Sequence, residues 1–137
     1  MYLKSLLILL FSVSVYAQEL SNIELLSLED EGLLEYFETV RHDSLKASFA
    51  ASIYLQRAKD RADTIMMARG FDRLAQSYSP YTNIKYTDSV IALTLKSKHI
   101  TYPAFGYILK SYNYDKLDQF KKSNQYNYMA YNYALEA

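Results

Sequence analysis

The residues able to do chemistry are few and scattered. His42 and His99 are the only two imidazoles, and neither has a second ligand at metal-binding spacing, so both read as surface or helix-end residues and no metal site is expected. Glu29, Asp30 and Glu31 place three carboxylates in a row, the residue type for general acid–base work. Acidic residues are also favoured in a first helical turn by the helix dipole, and no apolar pocket is indicated around them, so they read as solvated. No serine lies in a G-x-S-x-G turn, and three isolated glycines cannot form a phosphate-cradling loop. The chain has no cysteine, which removes thiolate nucleophiles, thiolate metal ligands and disulfides together. The expectation is a protein without catalytic residues, metal or cofactor.

Recognition chemistry is better represented. Arg69, Asp72, Arg73 and Gln76 form a polar quartet of mixed sign within eight positions. It could grip a peptide through charge-assisted hydrogen bonds, arginine offering two parallel donors to a carboxylate. The plainer reading is an exposed helix face with an Asp72–Gln76 pair. On the first reading, Arg73→Ala should leave the helices intact and alter only binding. Arg57, Lys59 and Arg61, and Lys121 and Lys122 beside Asp118, read as solvated faces. The segment QYNYMAYNYALEA adds four tyrosines within eight positions. On a helix, Tyr126, Ala130, Tyr133 and Ala134 share one side, and Tyr128, Tyr131 and Leu135 the other. A sugar-stacking platform is a second reading, weakened by the absence of tryptophan.

With 137 residues the chain suits one compact domain, and zero formal net charge gives no electrostatic basis for capturing nucleic acid. Its first seventeen residues, MYLKSLLILLFSVSVYA, have a lysine near the start, an apolar run and a small residue at Ala17, the pattern of a secretory signal peptide cleaved after Ala17. The apolar run is shorter than the roughly 20 residues of a membrane span. The expected product is an exported, periplasmic or extracellular domain, residues 18–137, with fourteen basic against fifteen acidic residues and no membrane span.

Scarce glycine and proline, with Ala, Leu, Lys, Gln and Glu between them, favour helices joined by short turns. Six are expected. The first starts at Ser27 and Asp30 and buries Leu33, Leu34, Phe37 and Val40. The second runs from Asp43 or Ser44 to Arg61 with the stripe Leu45, Phe49, Ile53 and Tyr54. The third is capped by Asp63 or Thr64 and carries Met67, Phe71, Leu74 and Tyr78. The fourth carries Ile84, Thr87, Ile91 and Leu95. The fifth opens at Thr101 and Pro103 and carries Phe105, Ile108, Leu109 and Tyr112, and the sixth is capped by Asp118.

Phe37, Phe71 and Phe105 recur every 34 residues, each followed three positions on by Val40, Leu74 or Ile108. FDRLAQSY, Phe71 to Tyr78, resembles the first-helix pattern of the tetratricopeptide repeat, with Ala75 at its small position. In the next unit a register shifted by two places Tyr107, Ser111 and Tyr114 in those roles, and Ser123 of FKKS faces them as the small residue of the following helix. The resemblance implies antiparallel helix pairs stacked as a short right-handed α-solenoid that binds a protein or peptide. The first helix of each pair would line the concave side, with Arg69, Asp72, Arg73 and Gln76 pointing into it. It implies further that Tyr128, Tyr131 and Leu135 are a docking face, since a terminal repeat needs a polar outer side. That face would receive further repeats beyond Ala137, a second copy or another protein. The order of segments is also similar to the exported repeat portion of bacterial helix-turn-helix transcription regulators, which would make the chain a periplasmic sensory region.

Overall fold

A computed structural model describes residues 21–137, so the expected signal peptide lies outside the described residues. The fold is all-α: seven helices and no strand among the described residues. They are α1 (Asn22–Ser27), α2 (Asp30–Val40), α3 (Ser44–Asp60), α4 (Thr64–Leu74), α5 (Pro80–Thr94), α6 (Ala104–Asp115) and α7 (Phe120–Glu136). From α2 onward each helix packs on the next in sequence.

Local sequence explains most of the boundaries. The Asp43 carboxylate accepts from the Leu45 and Lys46 amides, both at 3.1 Å, and Asp63 accepts from Met66 at 2.9 Å, so both expected caps form. Three ends differ from expectation. Ser27 closes α1, a helix that begins with a Ser21–Glu24 capping box, and α2 starts behind Glu29 without a side-chain cap. Asp118 is not a cap: it takes a left-handed φ of 56° and Gln119 precedes α7. Tyr78 lies beyond the end of α4, 43% exposed, because the chain turns at Ala75.

The buried seams are built from small residues. In α3 the inward face is Ala47, Ala50, Ala51, Tyr54, Leu55 and Ala58, whereas Leu45 and Phe49 of the expected stripe are exposed. Likewise Leu109 is buried in α6 but Ile108 and Tyr112 are not, and Leu95 is exposed after α5. Close helix approach is the reason. A Cβ added at Gly70 of α4 would stand 2.8 Å from Leu55 Cβ and 3.0 Å from its Cα, and one at Gly106 of α6 would stand 3.0 Å from Val90 and Ile91 side-chain carbons. Large residues are displaced to the flanks of such contacts. They still cover the core there: Val40, Met67, Phe71 and Tyr86 pack around Phe37, Leu55 and Leu74.

The two later helix pairs repeat one aromatic arrangement. In α4–α5, Tyr86 stacks with Phe71 at 6.3 Å and Tyr78 at 5.7 Å between centroids. In α6–α7, Tyr126 stacks with Tyr107 at 6.3 Å and Tyr114 at 5.3 Å. In this arrangement Tyr107, and not Phe105, takes the place that Phe71 has in the earlier pair. The small residues follow: Ala75 and Ser111 are both buried, and Ser111 Oγ donates to the Ser123 carbonyl at 2.9 Å, 3.0 Å from its hydroxyl.

Candidate functional site

Two members of the polar quartet, Arg73 of α4 and Gln76 just after it, bond to the third, the buried carboxylate of Asp72. Asp72, 2% exposed, does not point into solvent as expected but inward. Its Oδ1 accepts from Arg73 at 2.9 Å and Gln76 at 3.0 Å, and its Oδ2 accepts from the Tyr102 hydroxyl at 2.5 Å. Burial pushes the Asp72 carboxyl up from its ordinary range; Arg73, Tyr102 and Gln76 oppose that shift without cancelling it. Burial, and then the Asp72 charge, raises the Tyr102 phenol, which remains a donor. Arg73 also reaches Glu38 of α2 at 3.5 Å and lies over the Phe37 ring, 5.4 Å from its centroid. Arg69 is held by Tyr54 of α3. Much of the quartet's hydrogen-bonding capacity thus ties α2, α3 and α4 to the segment before α6. A shallow hollow of about 240 Å³ between Arg69, Arg73, Tyr102 and Phe105 remains open.

A larger cleft, about 360 Å³, shares no lining residue with it. Phe37 of α2, Arg41 and His42 of the following turn, Gln76 after α4, and Tyr112 and Lys116 at the end of α6 form its walls. The α2, α4–α5 and α6 portions of the fold thus all contribute, Asn83 of α5 among them. Asn83 and Asn113 lie at its base: Asn83 closes the α4–α5 turn by accepting from the Tyr78 amide at 3.0 Å and donating to its carbonyl at 2.9 Å, and donates to Asn113 Oδ1 at 3.2 Å. Asn113 in turn donates to the Leu109 carbonyl at 2.8 Å. Lys116 stands 4.4 Å from the Tyr112 ring centroid. Arg41, His42 and Lys116 give the lining a basic character and no carboxylate lines it, although Glu38 stands outside it within 3.6 Å of Arg41.

The other sequence-marked residues either hold helices together or stay exposed. Asp30 is not solvated: it pairs with Arg57 at 3.3 Å and with Arg61. Partial burial works against its charge, but the Arg61 and Arg57 hydrogen bonds outweigh it and hold the carboxyl below its ordinary value. Arg57 also donates to the Leu28 and Leu26 carbonyls at 2.6 and 2.8 Å, fastening the end of α1. Lys59 lies 5.7 Å from the Phe71 ring centroid. His99 stacks on Tyr102. On α7, Tyr126, Ala130 and Tyr133 pack with Tyr107 and Ile91, while Tyr128, Tyr131 and Leu135 are exposed; Ala134, expected with the first group, is exposed as well because it lies in the last turn of the helix. Tyr102, Arg41, His42, Asn113 and Lys116 were not singled out for this site, and their proximity depends on tertiary packing that no local spacing announces. Among the described residues no helix is long and apolar enough to cross a membrane.

Comparison with protein-family models, curated proteins and solved structures finds no match.

Proposed function

We propose that this chain is a non-catalytic, exported, tetratricopeptide-like scaffold whose concave side holds an acidic segment of a protein or peptide. The observation that carries the reading is the 360 Å³ cleft walled by α2, the end of α4 and α6, with three basic side chains and no carboxylate in its lining. Arg41, His42 and Lys116 supply donors at its rim, the exposed Tyr112 ring supplies apolar surface, and the exposed Gln76 side chain can meet a peptide backbone. The small-residue seams and the asparagine pair fix these groups before a ligand arrives, so little ordering entropy is lost on binding.

Fluorescence anisotropy with labelled peptides tests this. Acidic peptides should bind, basic ones should not, and affinity should fall with salt. Lys116→Glu should weaken binding about tenfold or more while helix content is unchanged, whereas Lys96→Glu, outside the cleft, should have little effect. Equal affinity for acidic and basic peptides, or indifference to Lys116→Glu, overturns the reading.

A further inference from the structure

We propose that α7 pairs with α7 of a second copy, antiparallel about a two-fold axis near Asn127 and Tyr128. Phe120, Tyr128, Tyr131 and Leu135 are 57, 67, 61 and 68% exposed. Together with exposed Asn124 they fall within roughly 80° of arc at 100° per residue, forming one seam along the helix. The opposite side of α7 is already occupied by Tyr107 and Ile91.

The seam is complementary to itself. Rotation about a point midway between Asn127 and Tyr128 brings Phe120 onto Leu135 and Asn124 onto Tyr131, at both ends alike. This exchange of the same contacts in both directions is what an isologous interface demands. Asn124 opposite the Tyr131 hydroxyl provides a polar contact that penalises other registers. Charge selects the antiparallel sense. Lys121 and Glu136 lie at opposite ends of α7 on the same flank of the seam, the flanks that antiparallel packing brings together. Parallel packing would instead set this flank against the opposite one, where Asn127 and Ala134 carry no charge. Covering the four large side chains removes roughly 500 Å² per copy from water, about 1,000 Å² in all, the lower end of specific interfaces. The dimer is therefore reversible.

Because the chain contains no cysteine, disulfide trapping in the full chain is clean. Tyr128→Cys should cross-link to itself at the axis. Leu135→Cys alone should not, since its two copies stand about 22 Å apart along the helices, but it should cross-link when mixed with Phe120→Cys. Sedimentation equilibrium of the unmodified chain should show a monomer–dimer equilibrium that Tyr128→Glu weakens about tenfold or more without loss of helix signal. A monomer at every concentration overturns the proposal. So does self-cross-linking of Leu135→Cys, which marks parallel pairing. Cross-linking of Tyr131→Cys to Ile23→Cys, on the exposed face of α1, would show head-to-tail stacking instead and equally overturn it.

Discussion

Tyr102→Phe isolates the contact that joins α4 to the segment before α6. The substitution removes one oxygen from a side chain that is 4% exposed and leaves the ring in place, so no apolar burial is lost and no sizeable cavity opens. Its consequence falls on Asp72 Oδ2, which accepts from that hydroxyl at 2.5 Å, while Arg73 and Gln76 both serve Oδ1. A hydrogen bond to a buried charged acceptor contributes about 1.5–3 kcal/mol, and water cannot readily replace the donor here, so a loss of about 2 kcal/mol is expected at neutral pH. Urea unfolding followed by circular dichroism reads this directly. Tyr81→Phe, at a tyrosine 67% exposed, is the control and should cost less than about 0.5 kcal/mol. The penalty should also depend on pH. Asp72 has a native pKa raised above its unfolded value of 3.8, so the native state holds its proton more tightly, and this group's contribution to stability falls as pH rises from about 3.8 through the native value. Below that window the carboxyl is neutral, the Tyr102 bond is a neutral one, and the Tyr102→Phe penalty should shrink to about 1 kcal/mol. A loss below about 0.5 kcal/mol at pH 7, or one that grows on acidification, would refute the assignment.

Gly70→Ala should destabilise the fold by about 1–2 kcal/mol, because overpacking against the Leu55 backbone outweighs the gain in helix propensity; Gly32→Ala, whose added carbon meets only Leu28 side-chain atoms at 3.5–3.8 Å, should be neutral or stabilising by about 0.5 kcal/mol. Ala62 closes α3 with a φ of 52°, so Ala62→Gly should raise stability by about 0.5–1 kcal/mol, a rise of several degrees in thermal midpoint. Asp30→Asn should lower stability at neutral pH and lose that difference under acid: the native pKa is held below 3.8, so the ion-pair contribution is present above that value and disappears as pH falls through the native one. Intact mass of the exported protein should correspond to a chain beginning at Gln18; a mass retaining Met1–Ala17 would contradict cleavage there.

The sequence made helices legible wherever a cap and a 3.6-residue stripe coincided. Asp43 and Asp63 fixed two starts, and Leu33, Phe37 and Leu74 lie in the core as their spacing requires. It misleads where large side chains suggest the buried face. Leu45, Phe49 and Ile108 lie outside because Ala47, Ala51, Gly70 and Gly106 allow the backbones too close together for bulkier groups between them. Small residues carry little hydrophobic signal, so that inversion cannot be read from periodicity alone. The candidate site was half legible. Three of the quartet, Asp72, Arg73 and Gln76, do converge, yet Asp72 and Arg73 are committed to packing, so Arg73→Ala would leave a buried carboxylate without its cation and is expected to destabilise the fold as well as alter binding. The basic lining of the larger cleft joins Arg41 to Lys116 across the fold, a relation set by how α2, α4 and α6 are placed.

Backbone amide NMR of the isotopically labelled protein, titrated with an acidic peptide, tests the binding proposal most directly. Saturable shifts are expected at Phe37, His42, Gln76, Tyr112 and Lys116, with α7 unaffected. Shifts confined to α7 or spread without focus, or no response to acidic peptides where basic ones perturb the same residues, would contradict it.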